Sequence, residues 1–473
     1  MHHRARIRSA VALITVPMAL MHCGSSNDEP AKDAGTDALV GEPGRESGAP
    51  MDAGVDARPA SDAGLDAAPD AGPLTVRVSE PPSRIDADRE TGDLPGISGD
   101  GRFVSFYSAA TNLVAGDTNG KADPFVYDRT TRAVTRILGL GDAEPNGDAS
   151  VALLSADGRF VAFGSSASNL VAGDMNGKAD VFLFDRTTNA TVRASPAQAN
   201  ADSHPLSISD DGGRVVFFSS ATNLVGGDTN SAPDVFVFDR TTSSTGLVSA
   251  AMNGAPASGA SIDVAISGNG LFVAFGSAGS NIVANDTNGV TDVFVRDLAA
   301  ETTTRVSVSS TGEQGNGASN VPFLSADARY VAYLSTATNL VADDTNGFSD
   351  IFVHDRATSK TKRINLGMGG TQANGPSENP KLSSDGRFVV YRSNASNLVP
   401  GDLNGVADVF LYDSVSGTTT RVSVDTRGAE SNGAVSFAAF AAGGHAVAFS
   451  SAATNLIAGD GNGVSDVFLR LLP

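Results

Sequence analysis

The chain has 473 residues, 33 Lys+Arg against 53 Asp+Glu, a net charge of −20, one cysteine and no tryptophan. So acidic a chain repels phosphate backbones, which excludes nucleic acid as a natural partner and suits cations or basic partners. A single cysteine excludes an internal disulfide and any cysteine-rich zinc site.

Residues 1–26 carry three arginines and no acid, and an apolar run from Ser9 to Met21 follows the arginines. A positive start and a run of about a dozen apolar residues have the dimensions of an export signal rather than of a membrane span. Leu20-Met21-His22-Cys23-Gly24 resembles a bacterial lipoprotein signal, in which the cysteine becomes the lipidated first residue. Leu20 fits that pattern; Met21 and His22 depart from it, because small residues are usual there. Residues 1–23 therefore read as a signal peptide with a lipobox-like Cys23. The resemblance implies a lipid anchor in a membrane, with the protein in the outer membrane and periplasm or on the cell surface. The other reading is an ordinary secreted protein cut between Gly24 and Ser26.

Residues 24–73 are dominated by Ala, Asp, Gly and Pro, with Asp-Ala-Gly at Asp33, Asp52, Asp62 and Asp70. With no aromatic residue, such a segment cannot bury enough apolar surface to offset its ordering entropy. It reads as a disordered linker spanning roughly 40 Å as a flexible coil.

From residue 74 onward one stretch, Asn169-Leu-Val-Ala-Gly-Asp-Met-Asn-Gly-Lys-Ala-Asp-Val-Phe, recurs seven times. The copies start at Asn112, Asn169, Asn223, Asn281, Asn339, Asn397 and Asn455, 54 to 58 residues apart. A fixed period of this size is one supersecondary unit repeated as an array. In the second unit, a short apolar strand at 151–155 is followed by a turn at Ala156-Asp157-Gly158. A second strand at 159–163, a long loop, a third strand at 180–184 and a fourth at 190–194 complete it. No segment sustains a 3.6-residue apolar period, and the strands are continuous apolar runs, the pattern of sheets buried on both faces.

Four short strands repeated seven times predict an all-β, seven-bladed β-propeller over residues 74–473. Ser-Ala-Asp-Gly-Arg-Phe-Val-Ala-Phe (Ser155 to Phe163), then Gly-x-x-Asp-Val-Phe (Gly177 to Phe182), resembles the TolB-like, WD-related propeller repeat. That family's pattern has Pro where Ala156 stands and Tyr where Phe182 stands. The last unit stops after its third strand, whereas Leu74-Thr-Val-Arg-Val-Ser79 matches a fourth strand such as Thr304-Arg-Val-Ser307. The N-terminal strand is therefore expected to complete the last blade and close the ring, so that no sheet edge is left open.

The loop between strands two and three is the candidate for function, since long loops on a rigid scaffold carry it. Six copies read Asp-x-Asn-Gly-x-x-Asp: Asp117/Asn119/Asp123, Asp174/Asn176/Asp180, Asp286/Asn288/Asp292, Asp344/Asn346/Asp350, Asp402/Asn404/Asp408 and Asp460/Asn462/Asp466. The copy Asp228/Asn230/Asp234 has Ser231 in place of Gly and is expected to bind a cation least well. Alternating oxygen donors before a Gly resemble part of an EF-hand-type loop, which makes calcium the candidate cofactor. The first acid and the closing bidentate Glu of that pattern are missing here. The competing reading is that Asp and Asn close turns on their own backbone. Either could relieve the repulsion among these carboxylates.

No catalytic residue stands out. The histidines after the linker, His204, His354 and His445, fall in different units and read as surface or packing residues. Asp157 with Arg159, and Asp185 with Arg186, read as turn and salt-bridge pairs. Asn200 to His204 and Asp263 break the repeat without forming a recognisable constellation. The expected function is a non-catalytic binding or scaffolding module at the cell envelope, engaging an envelope protein or polysaccharide. The alternative is an extracellular propeller lyase, lactonase or glycosidase using loop carboxylates and calcium.

If Cys23 is lipidated, the protein sediments with membranes and Cys23→Ser moves it to the soluble fraction. Identical fractionation of the two would show that Cys23 carries no anchor.

Overall fold

A computed structural model describes residues 74–81, 86–197 and 199–472. The chain divides between Asp66 and Ala67, and every described residue belongs to the second unit. The signal sequence, Cys23 and the linker through residue 73 lie outside the described residues.

Blade 2 shows how the sequence makes the unit. Its strands are Ala149–Leu154, Phe160–Ser165, Asp180–Asp185 and Ala190–Arg193, paired antiparallel in chain order. The first reversal is set by Gly158 at φ 69°. Ser155 Oγ donates to Asp157 Oδ1 at 2.5 Å, and the same carboxylate oxygen accepts the Arg159 N–H at 2.9 Å. Asp thus closes the turn on backbone two residues ahead, and Gly supplies the left-handed position. At the second tight turn the Arg159 guanidinium reaches Asp185 at 2.7 Å, so the ion pair runs across the hairpin and not from Asp157. Arg186 lies over the Phe103 ring of the preceding blade, 3.9 Å from its centroid.

Seven such four-stranded sheets form the ring. Their third strands, Asp123–Asp128, Asp180–Asp185, Asp234–Asp239, Asp292–Asp297, Asp350–Asp355, Asp408–Asp413 and Asp466–Leu471, number blades 1 to 7. First strands of adjacent blades touch one another, which puts them nearest the axis. In blades 2 to 7 each first strand shifts register once against its partner. Four of these shifts hold a non-glycine residue at positive φ: Val151, Asp263, Val321 and Asn379.

The blades are joined by backbone as well as by side chains. Turn amides near the axis donate to the next blade in series: Gly99 to Ala156, Ala156 to Asp210, Asp210 to Gly268, Asn269 to Ala326, Ala326 to Ser384 and Ser384 to Ala442. The Gly443 amide returns to Gly99 at 3.1 Å and closes the circle. The expected strand exchange is present too. Thr75–Arg77 pairs with the third strand of blade 7, Thr75 opposite Arg470 and Arg77 opposite Phe468.

The middle strands are buried on both faces, while the outermost strand of blade 2, Ala190–Arg193, alternates exposed and half-buried. Phe125, Phe182, Phe236, Phe294, Phe352, Phe410 and Phe468 are all 0% exposed. Each lies opposite an aromatic residue on the second strand, from Phe106 in blade 1 to Phe449 in blade 7, with ring centroids 5.6–5.9 Å apart.

Deleting residues 74–79 removes the fourth strand of blade 7 and should lower the thermal midpoint sharply or cause aggregation. Phe236→Ala should cost about 3–5 kcal/mol in denaturant unfolding, as expected for a fully buried ring.

Candidate functional site: the acidic loops

The long loops between strands two and three gather on one face with the connections between blades. The asparagine that opens each repeat ties the two together. Asn169 Nδ2 donates to the Glu144 carbonyl at 2.8 Å, and Asn169 Oδ1 accepts the Asn146 amide at 3.1 Å. Asn339, Asn397 and Asn455 make the same side-chain bond to the carbonyls of Gln314, Gln372 and Glu430.

Within six loops the Asn-Gly pair, and in blade 3 Asn230-Ser231, forms a turn. The Asn side-chain carbonyl accepts the amide two residues on, as Asn119 does from Lys121 at 2.8 Å. The other end of that amide donates to the last Asp: Asn119 to Asp123, Asn176 to Asp180, Asn230 to Asp234, Asn288 to Asp292, Asn346 to Asp350, Asn404 to Asp408 and Asn462 to Asp466, at 2.9–3.2 Å. The last Asp of every loop is 0% exposed. In blade 2 its other oxygen accepts Ser195 Oγ at 2.7 Å, and Ser195 Oγ in turn accepts the Val181 amide.

The side chain that faces the acids lies outside the loop motif. In six blades an arginine at the end of the fourth strand, or of its N-terminal substitute, points between the two carboxylates. Arg136 Nη1 lies 2.8 Å from Asp117 and 3.1 Å from Asp123. The corresponding pairs are 3.1 and 3.4 Å for Arg193 with Asp174 and Asp180, and 3.4 and 3.5 Å for Arg305 with Asp286 and Asp292. They are 2.8 and 3.2 Å for Arg363 with Asp344 and Asp350, and 3.4 Å twice for Arg421 with Asp402 and Asp408. Arg77 completes the set, at 3.6 and 3.5 Å from Asp460 and Asp466. Strand register explains the geometry. Arg193 sits opposite Phe182, and Asp180 is two residues from Phe182 on the same face. Such diagonal neighbours are within reach of a long side chain.

A second acid or amide from the following connection often joins. Glu144 lies 2.9 Å from Arg136 and Glu430 lies 2.6 Å from Arg421, while Gln314 donates to both Asp286 and Asp292. Burial opposes these charges. It raises the carboxyls of Asp117, Asp174, Asp344 and Asp402, and pushes Asp123 and Asp460 up to about 6 against the pull of their arginines. In blade 1, Leu138 stands where Ser195 stands in blade 2, and Asp123 Oδ1 has no hydrogen-bond donor among the described residues.

The histidines do not share a site. His204 stacks on Phe218 at 5.0 Å, His354 is buried with Nδ1 2.9 Å from Thr361 Oγ1, and His445 is exposed. The region of the repeat-breaking Asp263 holds more than the sequence suggested. Asp263 lies at an axial strand shift, where Lys381 of blade 6 interacts with it. Burial lowers the Lys381 amine to about 8, and the Nζ lies 4.7 Å from the centre of the Phe323 ring. Glu378, on the same axial strand, pairs with Arg392. The sequence signal for these charges is Ser-Glu-Asn-Pro-Lys-Leu, charged where the other first strands are mostly apolar.

No family model matches the chain, and no curated protein matches it. Solved structures do. An oligogalacturonate lyase from Vibrio parahaemolyticus superposes with a TM-score of 0.52 at 11% identity, covering 84% of this chain and 93% of that one. The β-propeller domain of the Trilobed protease from Pyrococcus furiosus gives a TM-score of 0.51 at 11% identity, covering 81% and 94%. TolB from Acinetobacter baumannii gives 0.37 at 12% identity over 74% and 75%. At these identities the likeness is one of fold, and a propeller hosts many unrelated activities.

Replacing Arg136 by Met should destabilise the protein by about 3–5 kcal/mol at pH 7, because two buried carboxylates lose their cation. Without it their folded-state pKa values rise further above the unfolded value of about 4. The folded state then binds more protons, so the defect should shrink as pH falls from 7 towards 4. Denaturant midpoints of wild type and variant at pH 5 and 7 measure both effects.

Proposed function

We propose that this protein is a non-catalytic binding module, exported and held at the cell envelope through Cys23, which engages an envelope protein with its loop face. The observation that carries this reading is where the exposed apolar side chains stand. Met175 and Leu403, at the tips of two acidic loops, are 87% and 85% exposed, and Phe348 projects from a third. Leu140, Met252 and Met368 are exposed on the connections of the same face. Backbone bonds tie the last three to the acidic loops: the Leu140 amide to Asn169, Met252 to Asn281 and Met368 to Asn397. Thus Leu140 joins the loop of Met175, and Met368 joins the loop of Leu403. Exposed methionines and leucines on a rigid ring suit an adaptable protein contact. The paired acids and arginines beneath them hold the tips in place.

A second reading, an enzyme acting at the axis, has one observation in its favour. The pairing of Asp263 with Lys381 is unrepeated around the ring, as a single active site would be, and a buried amine near pH 8 suits proton transfer. An oligogalacturonate lyase shares the fold, at an identity that speaks for the fold alone.

Crosslinking capture from envelope fractions, alongside a polysaccharide array, tests the first reading. The variant Met175→Ser/Phe348→Ser/Leu403→Ser should lose the captured protein at least tenfold while melting like wild type. Undiminished capture by the variant, or retention on polysaccharide alone, would overturn it.

A further inference from the structure

The third blade departs from the other six at the acidic loop. It keeps both acids and the amide, Asp228, Asn230 and Asp234, but Leu247 stands opposite Phe236 where the other blades place arginine. Pro256 occupies the position filled by Glu144, Gln314, Gln372 and Glu430 elsewhere. This blade therefore lacks both the internal cation and the auxiliary side chain, and retains the charge they served.

The atoms left over are informative. In all six arginine-bearing blades the guanidinium takes Oδ1 of the first Asp and Oδ2 of the last. In blade 3, Asp228 is 6% exposed and its Oδ1 has no hydrogen-bond partner among the described residues. Asp234 is 0% exposed; its Oδ1 accepts Ser249 Oγ at 2.7 Å, and its Oδ2 has the Asn230 amide alone at 3.0 Å. A third oxygen belongs to the same position. Arg136, Arg305 and Arg421 also donate to the carbonyls of Gly116, Asn285 and Gly401 at 3.0–3.2 Å. Gly227 is the matching residue, at φ 82° against 78°, 59° and 71° for those three.

Two buried carboxylates without a counter-charge are costly, and a single orphaned carboxylate oxygen is unusual in a folded interior. We propose that the third-blade loop is a cation site, in which Asp228 Oδ1, Asp234 Oδ2 and the Gly227 carbonyl hold a hard divalent ion such as calcium in place of the guanidinium. Leu247 holds the register position of the arginines and is too short to carry a charge to the two acids, and both acids are buried, so a small ion fits better than a side chain from another protein. All three donors are oxygens, as calcium requires, and water would complete its coordination. With only two carboxylates the affinity belongs in the weak range of extracellular modules, about 10⁻⁴–10⁻³ M. The order of sites expected from the Asn-Gly pattern is thereby reversed. The loop with Ser231, whose φ of 56° reproduces the bend of the glycines, is the one whose acids have no cation of their own.

Isothermal titration of the chelator-treated full-length chain with calcium chloride tests this, with thermal melts in parallel. One ion per chain should bind, and the melting temperature should rise with calcium. Asp228→Asn should weaken binding at least tenfold. Leu247→Arg should abolish it and raise the calcium-free melting temperature by supplying the missing cation. Asp174→Asn, in an arginine-bearing blade, should leave calcium binding unchanged. No binding up to 10⁻² M, with a melting temperature indifferent to calcium, would mean that the two acids share a proton instead and would overturn the proposal. So would binding that survives both Asp228→Asn and Leu247→Arg.

Discussion

Every blade of this protein is apolar on both faces, and that constraint governs the rest. A sheet such as Phe160–Ser165 with Asp180–Asp185 cannot stand in water on either side. Each blade needs two neighbours, and only a closed ring gives two neighbours to all seven. Closure accounts for features that would otherwise look unrelated. The N-terminal Thr75–Arg77 serves as the outer strand of the last blade, and the amide chain around the axis returns from Gly443 to Gly99. Arg77 acts from the far end of the chain on Asp460 and Asp466, so the seam of the ring carries the same ion pair as five blades that need no seam.

The acidic excess belongs to this architecture in a particular way. The loop carboxylates lie beneath the loop face rather than spread across it, and in six blades one arginine lies between two of them. A buried ion pair of this kind contributes little net stability compared with an apolar replacement, but losing one partner is severe. Its effect here is geometric. It fixes where the fourth strand ends against the long loop, and so fixes the position of the loop tip. The exposed residues on those tips vary from unit to unit, Thr118, Met175 and Leu403 among them, while the arginine and the two acids beneath these tips are repeated.

Repetition also makes departures legible. Leu247 and Pro256 in blade 3 remove a cation and its auxiliary while leaving the acids in place. Lys381, Glu378 and Asp263 put charge near the axis, where the other inner strands are mostly apolar. These are the two places where charge departs most from the repeat.

The sequence by itself determined the architecture. The period of 54 to 58 residues gave the number of blades, the apolar runs gave the strands, and the unpaired fourth-strand pattern at residues 74–79 gave the closure. These features repeat, and each is encoded within a few consecutive residues or by a constant spacing, so no long-range contact had to be known. The turns were equally local: Asn119 and its equivalents close on backbone two residues on, as their type and position suggested. Tertiary structure alone decided what stabilises the acids. Arg136 lies 13 residues from Asp123 and 19 from Asp117. Whether it meets them depends on strand register and on which face each side chain takes. An arginine recurs at this position in six units and is visible in the sequence, but a recurring arginine on an outer strand looks like a solvated charge until the pairing of Arg136 with Phe125 turns it inward. For the same reason Leu247 is one apolar residue among many in the sequence, and acquires meaning only beside two buried carboxylates.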